Sequence, residues 1–198
     1  MRSRIRTICV YCGSAPGADP AFLAAAVRFG EILAQNHIGL VYGGGDLGLM
    51  GAIARSVLRA GGHVTGIIPH FLQRRENMLT QVQELIVVED MHERKRLMFE
   101  KADAFVALPG GIGTLEELVE QLTWVQLDRH DKPVLLADIG GFWRPLLALF
   151  DHMRDLGFIR LNSDARYLVR DEVEAILPAL QEAYANAKAP NRPLSAEL

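Results

Sequence analysis

What most constrains the fold of this chain is a regular alternation of two patterns. Short apolar runs lie at 5–11, 38–42, 63–68, 84–88, 104–108 and 133–137, with a weaker one at 166–169. Between them, 20–35, 47–60, 91–101, 114–127, 143–156 and 171–187 carry apolar residues at helical spacing. Short apolar runs bounded by glycine or proline suit strands buried on both faces of a parallel sheet. Their alternation with helices builds βαβ units. The expected fold is α/β, a doubly wound parallel sheet. With 198 residues, 49% of them hydrophobic, the chain can bury one sizeable core. We expect a single domain over 1–187 and a tail over 188–198, where Pro190 and Pro193 prevent a helix from continuing.

In doubly wound sheets, ligands bind beyond the carboxyl ends of the strands. Three loops there are rich in glycine or small residues: Tyr11-Cys12-Gly13-Ser14-Ala15-Pro16-Gly17, Tyr42-Gly43-Gly44-Gly45-Asp46-Leu47-Gly48, and Pro109-Gly110-Gly111-Ile112-Gly113-Thr114-Leu115-Glu116-Glu117. All three are expected on one edge. In the third, glycines at a helix start let backbone N–H groups approach a ligand, and the unpaired donors of the first turn suit a phosphate. Glu116 and Glu117 follow directly, and a carboxylate beside a phosphate pocket needs a cation or a reaction to justify it.

Other chemistries fit less well. The formal charge is −3 with dispersed basic residues, which is not the footprint of a nucleic-acid binder. The first apolar run breaks at Gly13, too short for a signal peptide or a membrane span, so the expected location is cytoplasmic. Cys9-x-x-Cys12 has no second pair to complete a zinc site and reads as a buried strand thiol and a loop thiol. His92-Glu93 begins like a zincin helix, but Arg96 stands where the second ligand belongs, so no metal is expected. There is no Gly-x-Ser-x-Gly elbow for acyl chemistry, and no Gly-Lys-Ser/Thr for a P-loop. Gly43-x-Gly45-x-x-Gly48 fits the dinucleotide fingerprint, which expects an acidic residue about 20 positions later. This chain instead ends the next strand Ile67-Ile68-Pro69-His70. Those glycines can serve a mononucleotide or close packing, and no cofactor is expected.

Two cations complete the picture. At about 100° per residue, Met91, Arg94, Lys95 and Met98 share one stripe of a helix. Either Arg94 and Lys95 snorkel over the surface, with Asp90 as N-cap and Glu93 closing a capping box, or they serve a pocket holding phosphate and carboxylate. Glu117 also has two readings. Thr114-Leu115-Glu116-Glu117 is a Thr-x-x-Glu capping box, yet the glycine loop and the basic stripe favour a site role. Glu116, Glu117, Glu120, Gln121 and Trp124 form a polar side opposite Leu115, Leu118, Leu122 and Val125.

Assembled, these residues resemble the Lonely Guy family, the cytokinin riboside 5′-monophosphate phosphoribohydrolases. The resemblance spans about residues 7–185. It rests on Cys12-Gly13-Ser14, Tyr42-Gly43-Gly44-Gly45 with Gly48-Leu49-Met50-Gly51, Met91-His92-Glu93-Arg94-Lys95, and the Pro109 to Glu117 stretch. It implies a Rossmann-like homodimer that hydrolyses the N-glycosidic bond of a nucleoside 5′-monophosphate. The family loop often has Tyr at the Ile112 position. Carried over by position, Arg94 and Glu117 match the catalytic pair. Glu76, Lys95, Gly111, Ile112, Gly113, Thr114, Leu115, Glu116 and Thr123 match substrate contacts, and Ser14, Gly45, Met91 and Gly110 are candidate contacts from the same motifs. Similar sequences have also been called lysine decarboxylases. Pyridoxal phosphate needs a Schiff-base lysine, and Lys95, Lys101, Lys132 and Lys188 stand in no recognisable setting for one. A non-catalytic nucleotide-binding module and a nicotinamide-dependent oxidoreductase are the alternatives.

Overall fold

The computed structural model describes residues 4–73, 77–159 and 167–187. Strands β1 (Thr7–Tyr11), β2 (Gly39–Tyr42), β3 (Val64–Pro69), β4 (Glu84–Val88), β5 (Ala104–Ala107), β6 (Val134–Ala137) and β7 (Tyr167–Arg170) form one sheet in the order β4-β3-β2-β1-β5-β6-β7. Every pairing is parallel, with Ile8 of β1 registered against Leu40 of β2 on one side and Ala104 of β5 on the other. The helices are α1 (Pro20–Gln35), α2 (Gly48–Arg59), α3 (Met91–Lys101), α4 (Ile112–Gln126), α5 (Arg144–Asp155) and α6 (Ile176–Ala187). This is the expected doubly wound α/β sheet. The segment expected to be helical from 171 instead enters through a short 3₁₀ turn, Val173–Ala175. The expected tail at 188–198 lies outside the described residues.

Side chains alternate across each strand, and the two core layers follow from that. Ile8 and Val10 pack with Phe29, Leu33, Ile53 and Leu180 beneath α1, α2 and α6. Cys9, Tyr11 and Phe105 pack with Met98, Leu118, Leu122 and Trp143 beneath α3, α4 and α5. After β1 the chain passes to α1 on one face, and after β5 it passes to α4 on the other. The two loops therefore diverge above neighbouring strands and leave a crevice at the switch point. The glycine loops are tied together there. Gly13 N–H donates to the Pro109 carbonyl at 3.0 Å, and Leu49 N–H at the start of α2 donates to the Gly13 carbonyl at 3.0 Å.

At the opposite, amino edge of the sheet, His130 packs 5.2 Å from the Phe99 ring and 5.8 Å from the Phe105 ring. Its Nδ1 accepts the Lys132 N–H at 3.1 Å. Burial, with the Lys132 charge nearby, pulls its imidazole below the usual value. A group whose pKa falls on folding binds its proton more readily when unfolded. Stability should therefore drop as pH falls through about 6.5 and level off below the depressed folded value. Urea midpoints measured between pH 5 and 7.5 should show this drop in the wild type and a shallower one in His130→Gln. Equal slopes in the two proteins would contradict the assignment.

Candidate functional site

The site is assembled from α3 and α4 over the carboxyl ends of β2, β3 and β5. Asp90 starts α3, its Oδ1 accepting the Glu93 N–H at 2.8 Å. Glu93 in turn accepts the Glu89 N–H at 3.2 Å, one residue before the cap. One turn later Arg94 faces inward and is only 6% exposed, so it does not snorkel. Its Nε donates to the Ile67 carbonyl at 3.2 Å and its Nη2 to the Gly43 carbonyl at 3.3 Å, while Nη1 lies 3.7 Å from Met91 Sδ. The same Nη1 stands 3.7 Å from Glu117 Oε1. Gly43 is required by this seating, because a Cβ there would run into Arg94 Nη2. At Gly48 (φ +55°) a Cβ would overlap the backbone of Ser14 and Ala15. Two glycines of the dinucleotide fingerprint are thus accounted for by packing within the chain.

Helix α4 begins at Ile112, with Gly111 as N-cap in extended backbone (φ −94°, ψ −157°). Leu115 N–H closes the first turn on the Gly111 carbonyl at 3.0 Å. The capping-box reading of Thr114 and Glu117 is therefore incorrect. The helix is entered through Gly110-Gly111, ahead of Thr114, and Thr114 is buried against Gly110, where a Cβ would collide with it. The early start turns Glu117 inward towards Arg94, 9% exposed. It also divides the expected polar side of the helix. Glu117 and Gln121 are buried with Leu118, Leu122 and Val125, Leu115 is half-buried, and Glu116 is exposed.

In front of this first turn the surface is open. A Cβ added to Gly111 or Gly113 would meet nothing within 4 Å, and Ile112 is 83% exposed. The first-turn N–H groups of Ile112, Gly113 and Thr114 have no acceptor within the helix and carry the positive end of its dipole. An anion can approach them closely.

Lys95, beside Arg94 on α3, takes different partners. Its Nζ lies 2.6 Å from Glu116 Oε1 and 3.1 Å from Glu120 Oε1, and its side chain is 12% exposed. Burial works against the charged ammonium, but the two carboxylates outweigh it and leave Lys95 above its usual pKa. On β1 beneath Glu117, burial and then the Glu117 charge push the Cys9 thiol well up. Burial and the neighbouring Cys9 and Glu117 do the same to the Tyr11 phenol. Both groups stay neutral near pH 7, so Cys9 is no thiolate nucleophile. Cys9 and Cys12 belong to opposite core layers and do not face each other as a redox pair.

The remaining sequence candidates are scattered. Ser14 is exposed on the β1 loop. Gly45 is buried and bridged to Met78. Thr123 is exposed almost two turns beyond Glu117, its hydroxyl donating to the Val119 carbonyl at 2.8 Å, and this chain alone does not bring it to Arg94. Glu76 lies outside the described residues. Sequence reasoning missed Tyr11, which lies within reach of the Glu117 charge, and did not show that Gln121, placed on the polar side, is buried. Strand alternation from Cys9 and the four-residue step from Glu117 were the available signals. Among the described residues no group of three His, Cys, Asp or Glu could hold a metal ion, and no helix is long and apolar enough to cross a membrane. A cavity of about 670 Å³ opens at the amino edge beside His130, Lys132 and Tyr167. The Arg94–Glu117 pair lies at the other edge.

Several known proteins are similar to this chain. The family described as "Possible lysine decarboxylase" matches residues 50–180. The chain is 46% identical over 184 residues to a probable cytokinin riboside 5′-monophosphate phosphoribohydrolase of Oryza sativa subsp. japonica, covering 93% of this chain and 80% of that protein. It is 48% identical over 158 residues to a cytokinin riboside 5′-monophosphate phosphoribohydrolase of Arabidopsis thaliana, covering 80% and 73%. Another from Oryza sativa subsp. japonica is 50% identical over 168 residues, covering 85% and 69%. Among solved structures, the Moco carrier protein of Chlamydomonas reinhardtii superposes with a TM-score of 0.69 at 22% identity, covering 92% of this chain and 99% of that one, which is a likeness of fold.

A buried ion pair that loses one member leaves an uncompensated charge. Arg94→Ala should lower stability by about 3 kcal/mol in urea unfolding, and adding Glu117→Ala should recover part of that loss. Strictly additive losses would show that the two side chains are not coupled.

Proposed function

The chain belongs to the cytokinin riboside 5′-monophosphate phosphoribohydrolase family, and from that premise we propose that it hydrolyses the N-glycosidic bond of a purine or cytokinin nucleoside 5′-monophosphate. AMP is the simplest such substrate, and the products are the free base and ribose 5-phosphate. The observation that carries this reading is the buried Arg94–Glu117 pair, 3.7 Å apart, beside the open first turn of α4.

Breaking the bond from C1′ to the base nitrogen builds positive, oxocarbenium-like charge at C1′. The Glu117 carboxylate stabilises that charge and orients the water whose oxygen forms the new bond to C1′, while the departing base takes up a proton. Arg94, 3.7 Å away, fixes the place of Glu117. The 5′-phosphate sits on the first-turn N–H groups of Ile112, Gly113 and Thr114, with Gly110 and Gly111 leaving room for it. Leu115 supports this turn, and Met91 lies against the guanidinium.

Competing readings account for less. A nicotinamide enzyme would need fingerprint glycines that here seat Arg94 and pack on the β1 loop. Lysine decarboxylation needs a lysine available to pyridoxal phosphate. Among the described residues, Lys95 is ion-paired with Glu116 and Glu120, Lys101 with Glu84 at 2.9 Å, and Lys132 Nζ donates to the Phe99 carbonyl at 2.7 Å, while Lys188 lies outside them. A nucleotide carrier would use the same phosphate cradle but gains nothing from a carboxylate buried beside it.

We further propose a homodimer and a cytoplasmic location. Ile112, Val119, Thr123 and Leu127 lie exposed along the outer side of α4. A second copy covering that side would bury apolar surface and bring Thr123 to an interface. Two thiols on opposite faces of the sheet fit a reducing compartment.

Incubation with AMP followed by chromatography should yield adenine and ribose 5-phosphate in equal amounts. Glu117→Gln should lower kcat at least about 100-fold while changing KM by less than about threefold, as for a group acting in the transition state. Near wild-type release by Glu117→Gln would overturn the role of Glu117. Tight AMP retention without adenine release would favour the carrier reading.

A further inference from the structure

We propose that Trp143, which none of the sequence motifs includes, is the positioning residue for the phosphate loop. The inference rests on the reading that the start of α4 takes the substrate phosphate.

Between the end of β5 at Ala107 and the cap of α4 at Gly111, the chain contains Gly110, and the cap itself makes no side-chain hydrogen bond. Two successive glycines give the backbone little stiffness of its own. A loop that presents N–H groups to a phosphate must therefore be held from outside. The β1 side does this twice, through Leu108 N–H to the Tyr11 carbonyl at 2.9 Å and Gly13 N–H to the Pro109 carbonyl at 3.0 Å. The loop after β6 supplies a third hold, because the Trp143 indole Nε1–H donates to the Ala107 carbonyl at 3.1 Å.

Trp143 is itself fixed. It is 4% exposed and lies in the same core layer as Leu118 of α4. Its backbone N–H donates to Asp138 Oδ1 at 2.6 Å, and the Asp138 N–H donates to the Arg170 carbonyl at 2.7 Å. The Phe142 ring meets its indole edge-on at 4.9 Å. Another large apolar side chain could fill the same core volume, but only a side chain with a donor at the indole position ties the end of β5 to the loop after β6. Losing that bond leaves the loop with its two ties to the β1 side, so the residues leading into Gly110 and Gly111 are held less firmly. Trp143 touches no substrate in this scheme and acts through the loop, so its effect falls on phosphate binding.

The test is Trp143→Phe, with binding measured by calorimetry. Ribose 5-phosphate should bind at least about fivefold more weakly, adenine should bind as to the wild type, and KM for AMP should rise by a similar factor with kcat within about twofold. Equal weakening of both ligands, or unchanged ribose 5-phosphate binding, would overturn the proposal. A second measurement leaves Trp143 in place. The chain has two tryptophans, so Trp124→Phe makes Trp143 the sole indole emitter. Ribose 5-phosphate should shift its emission and adenine should not. No shift, or the same shift with adenine, would also overturn it. If ribose 5-phosphate binds as described but AMP yields no adenine, the hydrolase reading fails and the role of Trp143 stands.

Discussion

Everything at the carboxyl edge of this sheet depends on burying one guanidinium beside one carboxylate. A buried ion pair is a poor route to stability, since desolvation of the two charges can exceed their attraction. The pair persists here because the surroundings complete it. The Ile67 and Gly43 carbonyls take two of the Arg94 donors, so β3 and the β2 loop both contribute to its seat. Gly43 carries no side chain where the guanidinium lies. Asp90 sets where α3 begins, and hence which of its residues turns inward.

The doubly wound topology makes this arrangement possible. Helix α3 crosses from the β4 edge to β5, bringing Arg94 over β2 and β3, while α4 leaves β5 on the same face with Glu117 one turn and a half from its start. The first turn of α4 points its free N–H groups at the crevice, and its second turn points a carboxylate at the cation. A single strand–turn–helix stretch therefore presents open first-turn N–H groups and an anionic side chain, and Arg94 faces the latter. Lys95 extends the same contact between α3 and α4 to Glu116 and Glu120 on the outer side.

Much of this was legible in the sequence because it is periodic. Strand and helix alternation is a local signal, and the span of α3 emerges where the helical stripe and the capping Asp90 coincide. Two features were not legible. The Thr-x-x-Glu pattern at 114–117 satisfies a capping box on paper, but Gly110-Gly111 admits an earlier helix start, and that displacement turns Glu117 from the cap to the interior. Periodicity likewise placed Arg94 on a stripe with Met91 and Met98 without showing that it is buried. Its partners at Gly43 and Ile67 are distant in sequence and are defined only by strand order. Trp143 escaped for the same reason, since its acceptor Ala107 lies on another strand.

In the proposed reaction the start of α4 holds the 5′-phosphate while Glu117, fixed by Arg94, works at C1′. Its most direct test compares kcat/KM for AMP and adenosine, which share base and ribose and differ only in the phosphate. Binding energy from a remote phosphate is used to orient the reacting centre. The value for adenosine should therefore be at least about a thousandfold lower. Similar values for the two substrates would contradict it.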